Sequence, residues 1–281
     1  MSVTSRPANP AAAQAMRHDI RRALHAEWTK LRTVPSTPWL LLAIVAFTVI
    51  VSAGAVGSVS TSHCPSPTEC FEDTTKLSLT GVWLGQAAVA VLAILSMTSE
   101  YGTRMIQTTL AVTPRRVTVL LTKATVVTAI VLAAATVGVL GSLIAGRIIL
   151  PGNGFTAANG YPPLSLADGP TLRAVAGTVL YVGIIALLSL SVGTIVRDTA
   201  GAITAVLSLL YIAPLIATLV SDPQWSERLQ TFTPSTAGLA IQATTDLDRI
   251  PIGPWAGLGV LAAYAIAAML AGVLLFKTRD T

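Results

Sequence analysis

The sequence predicts an all-α integral membrane protein with six transmembrane helices. Six apolar stretches, each about 20 residues long, contain no Lys, Arg, Asp, Glu or His. At ~1.5 Å rise per residue, a helix of about 20 residues crosses a hydrocarbon core of ~30 Å. Charged residues make up only 11% of the chain, against about 25% in a typical soluble domain. The stretches are 38–59, 79–99, 124–146, 174–196, 201–221 and 254–276.

The six spans and their connections account for nearly the whole chain of 281 residues. No segment outside the spans is long enough for a separate globular domain, so residues 19–281 are interpreted as one transmembrane domain. The first 16 residues are rich in Ala, Pro, Ser and Asn and lack an apolar core. This composition excludes a secretory signal and predicts a disordered cytoplasmic tail over residues 1–18.

The basic residues predict the orientation of the chain in the membrane. With the N-terminus in the cytoplasm, thirteen Lys and Arg residues fall inside and five fall outside. Positively charged connections remain in the cytoplasm, so both termini are expected there. The net charge of +5 follows mainly from this bias and needs no nucleic-acid partner. The outside set is Lys76, Arg147, Arg173, Arg228 and Arg249.

Residues 19–33, directly before the first span, are predicted to form an N-terminal amphipathic helix. Their apolar residues recur at helical spacing, and their basic residues lie elsewhere on the helix. Such a helix lies in the membrane interface, with Trp28 at headgroup depth. It serves either as a simple anchor or as an elbow helix that also contacts a cytoplasmic partner. The apolar stripe consists of Ile20, Ala23, Leu24, Trp28 and Leu31.

Residues 100–116 (EYGTRMIQTTLAVTPRR), between the second and third spans, predict a short helix on the cytoplasmic face. The centre of this link has an apolar side, which a bare loop would not need, and Pro114 restarts the chain as the third span. One interpretation is an interfacial helix under lipid headgroups, with Arg115 and Arg116 as topology charges. The other is a docking element seated in a groove of another protein.

The outer connections are poor in charge. Cys64 and Cys70 lie close together in a Pro-rich turn, and an oxidising exterior favours a local disulfide between them, with two free thiols as the alternative. The outer loop over 222–253 has about 30 residues, too many for a structureless connection, so a short helix returning toward the membrane is expected from Pro234. That helix is either an external lid or a surface helix without a gating role.

Two features inside the spans predict local structure. Pro214, within the fifth span, should kink the helix or open its backbone hydrogen bonds. Small residues every fourth position in the third span form a ridge that allows close approach of another helix, either within the monomer or across a dimer interface. The ridge consists of Ala134, Gly138, Ser142 and Gly146.

The sequence lacks a recognisable source of energy for transport. An ion-coupled carrier needs a buried carboxylate or histidine, and the six predicted spans contain neither. No H-E-x-x-H motif is present, and Phe276 stands where a phosphate-binding loop before Lys277 and Thr278 requires glycine. We therefore expect no metal site, no cofactor and no enzymatic activity in this chain, and any energy must come from another polypeptide. The polar span residues Gln86, Tyr181 and Tyr211 are too scattered to define a pocket.

Three short motifs lie in the connections of this six-span chain. They are 27–33 (EWTKLRT) before the first span, 100–104 (EYGTR) after the second, followed by 109–110 (TL) and 114–116 (PRR), and 234–238 (PSTAG) before the last. With these motifs the chain resembles, from about Asp19 onward, the membrane subunit of ABC-2-type ATP-binding-cassette transporters, particularly the short permeases of actinobacteria. The cysteine pair is not a feature of that family as a whole.

The resemblance implies a unit of two six-span permeases, identical or related, and two cytoplasmic ATPase subunits that bind ATP and Mg²⁺. Closure of the ATPase pair would push on coupling helices after the second spans and switch the cavity between inward-open and outward-open states. Arg197 and Asp198, between spans four and five, have the alternative role of a tight turn in which Asp198 caps the fifth span. The expected coupling residues are Glu100, Tyr101, Gly102, Thr103, Arg104, Arg115, Arg116, Arg197 and Asp198, and those of the elbow helix are Glu27, Trp28, Lys30 and Arg32.

The implied function is export of a hydrophobic or amphipathic substrate across a bacterial plasma membrane. Mostly Ala, Val, Leu, Ile, Thr and Ser line the spans, which suits such a cargo better than an ion. Two alternatives remain open at this stage. One is a passive channel or carrier that works alone, and the other is a scaffold or sensor subunit that binds an ATPase without transporting anything.

Overall fold

The computed structural model describes residues 10–64, 66, 72–102 and 116–278, and the chain in these ranges is helical, with no strand. Ten helices within these ranges are named here in chain order. They are α1 (Pro10–Thr33), α2 (Ser36–Ser58), α3 (Thr74–Ser78), α4 (Val82–Gly102), α5 (Arg116–Ile149), α6 (Gly169–Val196), α7 (Thr199–Leu219), α8 (Pro223–Phe232), α9 (Pro234–Leu239) and α10 (Pro254–Thr278). Short 3₁₀ turns occupy Thr61–His63, Leu150–Asn153, Ala157–Asn159, Ala240–Gln242 and Leu247–Arg249.

Six of the described helices are long and apolar enough to cross a membrane, which confirms the prediction of six spans: α2, α4, α5, α6, α7 and α10. Helices α4 and α6 form the centre of the bundle. In each of them 61% of the residues in an apolar stretch of 18 are buried, against 22% in the corresponding stretches of α2, α7 and α10. The outward face of α2 exposes Trp39, Leu42 and Ile50. A large exposed apolar surface of this kind suits contact with lipid rather than water.

Three helices, α4, α5 and α6, extend beyond their predicted spans and carry charged residues in the extensions. The expectation that no charge lies within a span is corrected, because candidate spans Val82–Tyr101 and Val117–Asn153 include Glu100 and Lys123. Arg147 and Arg173 likewise lie within α5 and α6. The boundaries differ for a physical reason: an apolar stretch marks the length suited to lipid, whereas a helix continues for as long as its backbone hydrogen bonds continue.

Helix α1 begins at Pro10 rather than at Asp19, so residues 10–18 of the predicted disordered tail are helical. The extension contains the run Ala11, Ala12 and Ala13, and alanine has the highest helix propensity of the amino acids. Proline at the first helical position also suits a helix start. Residues 1–9 lie outside the described residues, so for them the tail stays a prediction.

The small-residue ridge of α5 packs inside the monomer. Ser142 donates a hydrogen bond from Oγ to the backbone carbonyl of Thr48 in α2, at 3.0 Å. A Cβ atom at Gly146 would lie 2.2 Å from the hydroxyl oxygen of Ser78 in α3, so only glycine permits this approach. The ridge is therefore used to bring α5 against α2 and α3, which is one of the two roles that the sequence left open.

Helix α7 changes its hydrogen bonding next to Pro214, as the proline predicts. Residues Ser208–Ile212 form a π turn, in which the amide of Ala213 donates to the carbonyl of Ser208. Pro214 has no N–H to donate to Leu210, four residues earlier. Instead, the side chain of Ser235 in α9 donates to that carbonyl at 2.8 Å. A hydroxyl from a different helix thus replaces the hydrogen bond that proline removes.

The expected short helix after span five is present as α8 and α9, and α9 begins at Pro234 as predicted. Helix α9 is packed into the bundle through Ser235, Ala237 and Gly238, all of which are buried. A Cβ atom at Gly257 of α10 would lie 1.9 Å from the carbonyl oxygen of Ala237. We name this region, formed by α9, the π turn of α7 and Gly257, the Pro214–Ser235 junction.

Candidate functional site

Four charged side chains from three helices meet at one end of the bundle. Lys123 of α5 donates from Nζ to Glu27 of α1 at 2.6 Å and to Glu100 of α4 at 2.9 Å. Lys30 of α1 contacts the same two carboxylates, each at 2.9 Å. The four residues form an ion-pair cluster with no net formal charge. The cluster joins α1 to the ends of α4 and α5 that flank residues 103–115.

Three of the four side chains in the ion-pair cluster are almost completely removed from solvent, and the fourth is partly exposed. The side chains of Lys123, Glu27 and Glu100 are 3%, 5% and 6% exposed, and that of Lys30 is 31% exposed. Lys123 uses all three of its N–H donors, since it also donates to the backbone carbonyl of Ser96 at 3.1 Å. The cluster is thus neutral and nearly saturated, as buried charges require.

One hydrogen-bond acceptor in the cluster has no donor among the described residues. Both lysines donate to Oε1 of Glu100, whereas its other oxygen, Oε2, is buried and has no hydrogen-bond partner among the described residues. An unpaired buried carboxylate oxygen is unfavourable because it has lost its hydration without gaining a donor. Glu100 therefore has capacity for one further hydrogen-bond donor.

Lys30 titrates under two opposing influences. Partial burial is the largest single influence and lowers the pKa of Lys30, but the hydrogen bonds to Glu100 and Glu27 and the charges of both carboxylates together raise that pKa by a larger amount. The net pKa of Lys30 therefore lies above its ordinary value. The lysine therefore stays charged throughout the neutral range.

The structure describes only part of the predicted coupling segment. Glu100 faces the interior of the bundle, where it pairs with two lysines of its own chain. Tyr101 is half-buried, Gly102 is the last residue of α4, and Arg116 is the first residue of α5. Thr103, Arg104 and Arg115 lie outside the described residues. The predicted coupling helix therefore stays a prediction. The two helices that flank it in the chain, α4 and α5, are both joined by the ion-pair cluster.

Arg197 and Asp198 form a tight turn between α6 and α7. The carboxylate of Asp198 caps α7 by accepting a hydrogen bond from the amide of Gly201 at 2.6 Å, which confirms its capping role. Arg197 ends α6 in the left-handed region, with φ of 62°. Its guanidinium lies 5.2 Å from the ring centre of Tyr101, a cation–π contact. This turn therefore contacts the end of α4 beside the ion-pair cluster.

The four predicted elbow residues divide into two groups. Glu27 and Lys30 belong to the ion-pair cluster, and Glu27 is buried. Trp28 is 49% exposed and Arg32 is exposed, so these two face away from the bundle. The predicted apolar stripe contains both Trp28 and Leu31. In the structure Leu31 is buried in the core, and Glu27 rather than Trp28 accompanies it on the inward face.

The sequence did not identify Lys123 as a site residue. Lys123 was counted only among the thirteen basic residues predicted on the cytoplasmic side of the membrane. A signal was available, because Lys123 directly precedes one apolar stretch and Glu100 directly follows another on the same predicted side. Opposite charges at the ends of neighbouring spans can pair where the membrane would otherwise penalise them. The pairing with Glu27 was not readable from the sequence, because it depends on how α1 packs.

Connections at the opposite end of the bundle also meet. The carboxylate of Asp73 caps α3 through the amide of Lys76 at 2.9 Å. It also accepts hydrogen bonds from the hydroxyl of Thr244 at 2.7 Å and from the amide of Thr245 at 3.2 Å. This contact joins two connections that the basic-residue count assigns to the same side of the membrane.

The remaining predicted positions behave differently from one another. Tyr181 donates a hydrogen bond to the side-chain oxygen of Gln86, and both residues are fully buried, so two of the polar residues thought to be scattered are paired within the core.

Cys64 carries no free thiol, and Cys70 lies outside the described residues, so their pairing stays a prediction. Over the described ranges, no group of three or more His, Cys, Asp or Glu residues is arranged to hold a metal ion.

Comparison with known proteins gives no further assignment. No protein-family model matches this chain, and no curated protein shows significant sequence similarity to it.

Proposed function

We propose that this chain is the permease subunit of an ABC-2-type exporter, driven by ATP hydrolysis in a separate cytoplasmic ATPase. The observation that carries the proposal is the ion-pair cluster, which ties α1 to both helices that flank residues 103–115. A force applied to that segment would reach three helices at once. The motifs 27–33 and 100–104, on which the family resemblance rests, contribute three of the four charges of the cluster.

In this proposal Glu100 acts as a positioning residue and not as a docking residue. Its carboxylate is buried among lysines of its own chain, so a partner protein would not contact it directly. The direct contacts with the ATPase fall instead to Thr103, Arg104, Arg115 and Arg116. Tyr101 and Arg197 lie together beside the cluster and link the coupling segment to the α6–α7 turn.

The complete transporter would contain two ATPase subunits, which bind ATP and Mg²⁺, and a second permease, identical or related. The chain would lie in a bacterial plasma membrane with both termini cytoplasmic and would move a hydrophobic or amphipathic cargo outward. Support for the cargo comes from the composition of the spans, which are apolar apart from charges near their ends. Those charges are paired in the ion-pair cluster at one end, which argues against an ion-coupled carrier.

The test measures ATPase stimulation in proteoliposomes that contain this chain and the ATPase subunit that copurifies with it. Arg104→Ala should reduce stimulation and substrate efflux at least tenfold while leaving the thermal stability of the permease unchanged. The matched control is Arg249→Ala, since Arg249 is 77% exposed and belongs to a connection predicted on the opposite side. Glu100→Gln should reduce coupling together with stability, because it disrupts a buried ion pair.

Four outcomes separate the proposal from its alternatives. Unchanged stimulation and transport in Arg104→Ala would refute the docking assignment, and unchanged coupling in Glu100→Gln would refute the positioning role of Glu100. Substrate flux from vesicles that hold only this chain, without ATP, would indicate a passive channel or carrier. ATPase binding with no efflux, compared with the same assay using a catalytically inactive ATPase, would indicate a scaffold or sensor.

A further inference from the structure

A groove of about 240 Å³ lies between α1, α2 and α5. Trp28 and Arg32 of α1, four residues apart and therefore on one face of that helix, line it together with Leu41 of α2 and Ile130 of α5. Trp28 and Arg32 are both exposed, so the groove opens to the surroundings of the bundle. We name it the α1 groove. None of the four side chains of the ion-pair cluster lines it.

The α1 groove leads from a charged helix into the apolar part of two spans. Glu27 of α1 contacts Lys123, so α1 crosses α5 at the level of that lysine. Ile130 follows Lys123 by seven residues, which places it about 10.5 Å further along α5 at ~1.5 Å per residue. Leu41 likewise lies five residues after Ser36, the first residue of α2. A ligand that fills the groove must therefore be polar beside α1 and apolar along the spans.

The charge of Arg32 at the polar end of the groove is not compensated within the chain. The only carboxylate of α1 over residues 21–33 is that of Glu27, which is buried in the ion-pair cluster. The residues three and four positions before Arg32 are Thr29 and Trp28, so no acidic side chain lies on the same face of the helix within one turn. An anionic group is the complement that this end of the groove requires.

An anionic phospholipid satisfies both ends of the groove. Its phosphate can accept paired hydrogen bonds from the guanidinium of Arg32 and a further one from the indole N–H of Trp28. An acyl chain of the same lipid would lie against Leu41 and Ile130. A peptide fits less well, because its backbone polar groups would lose their hydration beside the apolar part of the spans without gaining partners.

We infer that the α1 groove binds an anionic phospholipid, with the phosphate on Arg32 and Trp28 and an acyl chain against Leu41 and Ile130. The bound lipid would fill the space that α1 leaves against α2 and α5. The inference requires only that the chain resides in a membrane, and it does not depend on the proposed transport activity.

The test uses the full-length chain in an uncharged detergent and a phosphatidylglycerol with a photoreactive diazirine in one acyl chain. Photolysis should label peptides that contain Leu41 or Ile130. Unlabelled phosphatidylglycerol should compete about fivefold more effectively than phosphatidylcholine with the same acyl chains, because one basic residue favours an anionic lipid by about that factor. Glycerol phosphate, which lacks acyl chains, should not compete, and this distinguishes a lipid from a free phosphate.

Two variants with matched controls test the two ends of the groove. Arg32→Gln should abolish the preference for phosphatidylglycerol, whereas Arg22→Gln, at an exposed arginine of α1 outside the groove, should retain it. Leu41→Trp should reduce labelling about tenfold, because the larger ring fills the apolar part of the groove. Its control is Leu42→Trp, at the adjacent leucine of α2, which is 56% exposed and does not line the groove.

Equal competition by the two phospholipids would overturn the inference, and this comparison uses the wild-type chain, so it does not require that any variant folds. Loss of the preference in Arg22→Gln to the same extent as in Arg32→Gln would also overturn it, since it would indicate diffuse attraction to basic residues. Labels confined to other helices would do the same. Labelling of the monomer but not of a dimer separated by size would identify a second copy of the chain as the occupant and overturn the inference.

Discussion

The ion-pair cluster and the Pro214–Ser235 junction both join segments that are distant in the chain, but by opposite means. At the cluster, Lys123 reaches Glu27, 96 residues away, and the contact depends on charge. At the junction, Ser235 reaches Leu210, 25 residues away, and the contact depends on a hydroxyl and on the absence of a side chain at Gly257. The cluster should therefore be sensitive to changes in charge, and the junction to changes in size.

The largest effect is expected from removing the central cation of the cluster. Lys123→Met leaves Glu27 and Glu100 with only Lys30 as partner in a buried site, which should reduce the free energy of unfolding by about 3–5 kcal/mol. Unfolding by SDS in mixed micelles measures this. Lys76→Met, at an exposed lysine of α3, is the control and should change stability by less than about 1 kcal/mol. Equal effects of the two substitutions would contradict the idea that charge stabilises this end.

A smaller loss is expected from adding one methyl group at the junction. Gly257→Ala should destabilise the chain by about 1–3 kcal/mol, because the new Cβ would lie 1.9 Å from the carbonyl oxygen of Ala237. Gly259→Ala, two residues further along α10, has no atom within 4 Å of the new Cβ. That control should be neutral or stabilising by up to about 1 kcal/mol, since alanine favours helix. The same SDS titration compares the stability of Gly257→Ala with that of Gly259→Ala. Equal destabilisation of both variants would contradict the steric explanation.

The hydrogen bond of the junction is expected to contribute about 1–3 kcal/mol. Ser235→Ala leaves the buried carbonyl of Leu210 without its donor. Pro214→Ala restores an N–H four residues after Leu210, so in that background Ser235→Ala should cost distinctly less. A double-mutant cycle on the two single variants and the double variant measures this coupling. Strictly additive effects would show that Ser235 does not substitute for the missing backbone donor.

The smallest effect concerns the partly exposed member of the cluster. The folded-state pKa of Lys30 is raised, so its stabilising contribution is fully present below the unfolded value, about 10.4, and is lost as pH rises through the folded pKa. The stability difference between wild type and Lys30→Met should therefore be constant from about pH 7 to about pH 10 and shrink above it. With 31% of the side chain exposed, the difference should remain below about 1 kcal/mol. A difference that grows with pH would contradict the assigned pairing.

The two regions differ in how far the sequence could predict them. Pro214 predicts a break in the backbone hydrogen bonding of α7, because the missing N–H is a property of proline itself. The donor that compensates, Ser235, was recognisable only as part of a motif and not as a partner of Leu210. In the same way, Glu27, Lys30 and Glu100 were singled out individually, yet their mutual contact and the participation of Lys123 were not foreseen.

The sequence alone determined the number and approximate position of the six spans and the start of α9 at Pro234, and it offered the cap formed by Asp198 as one of two roles for that residue. These features follow from interactions between residues close in the chain, such as continuous apolar length, the fixed φ of proline and a carboxylate next to a helix start. The tertiary structure alone decided that Glu27 and Glu100 turn inward onto Lys123, that the small-residue ridge of α5 packs on α2 and α3, and that Gly257 meets Ala237. Each of these contacts depends on how helices far apart in sequence are placed against one another, and one helix's periodicity does not specify which neighbour it meets.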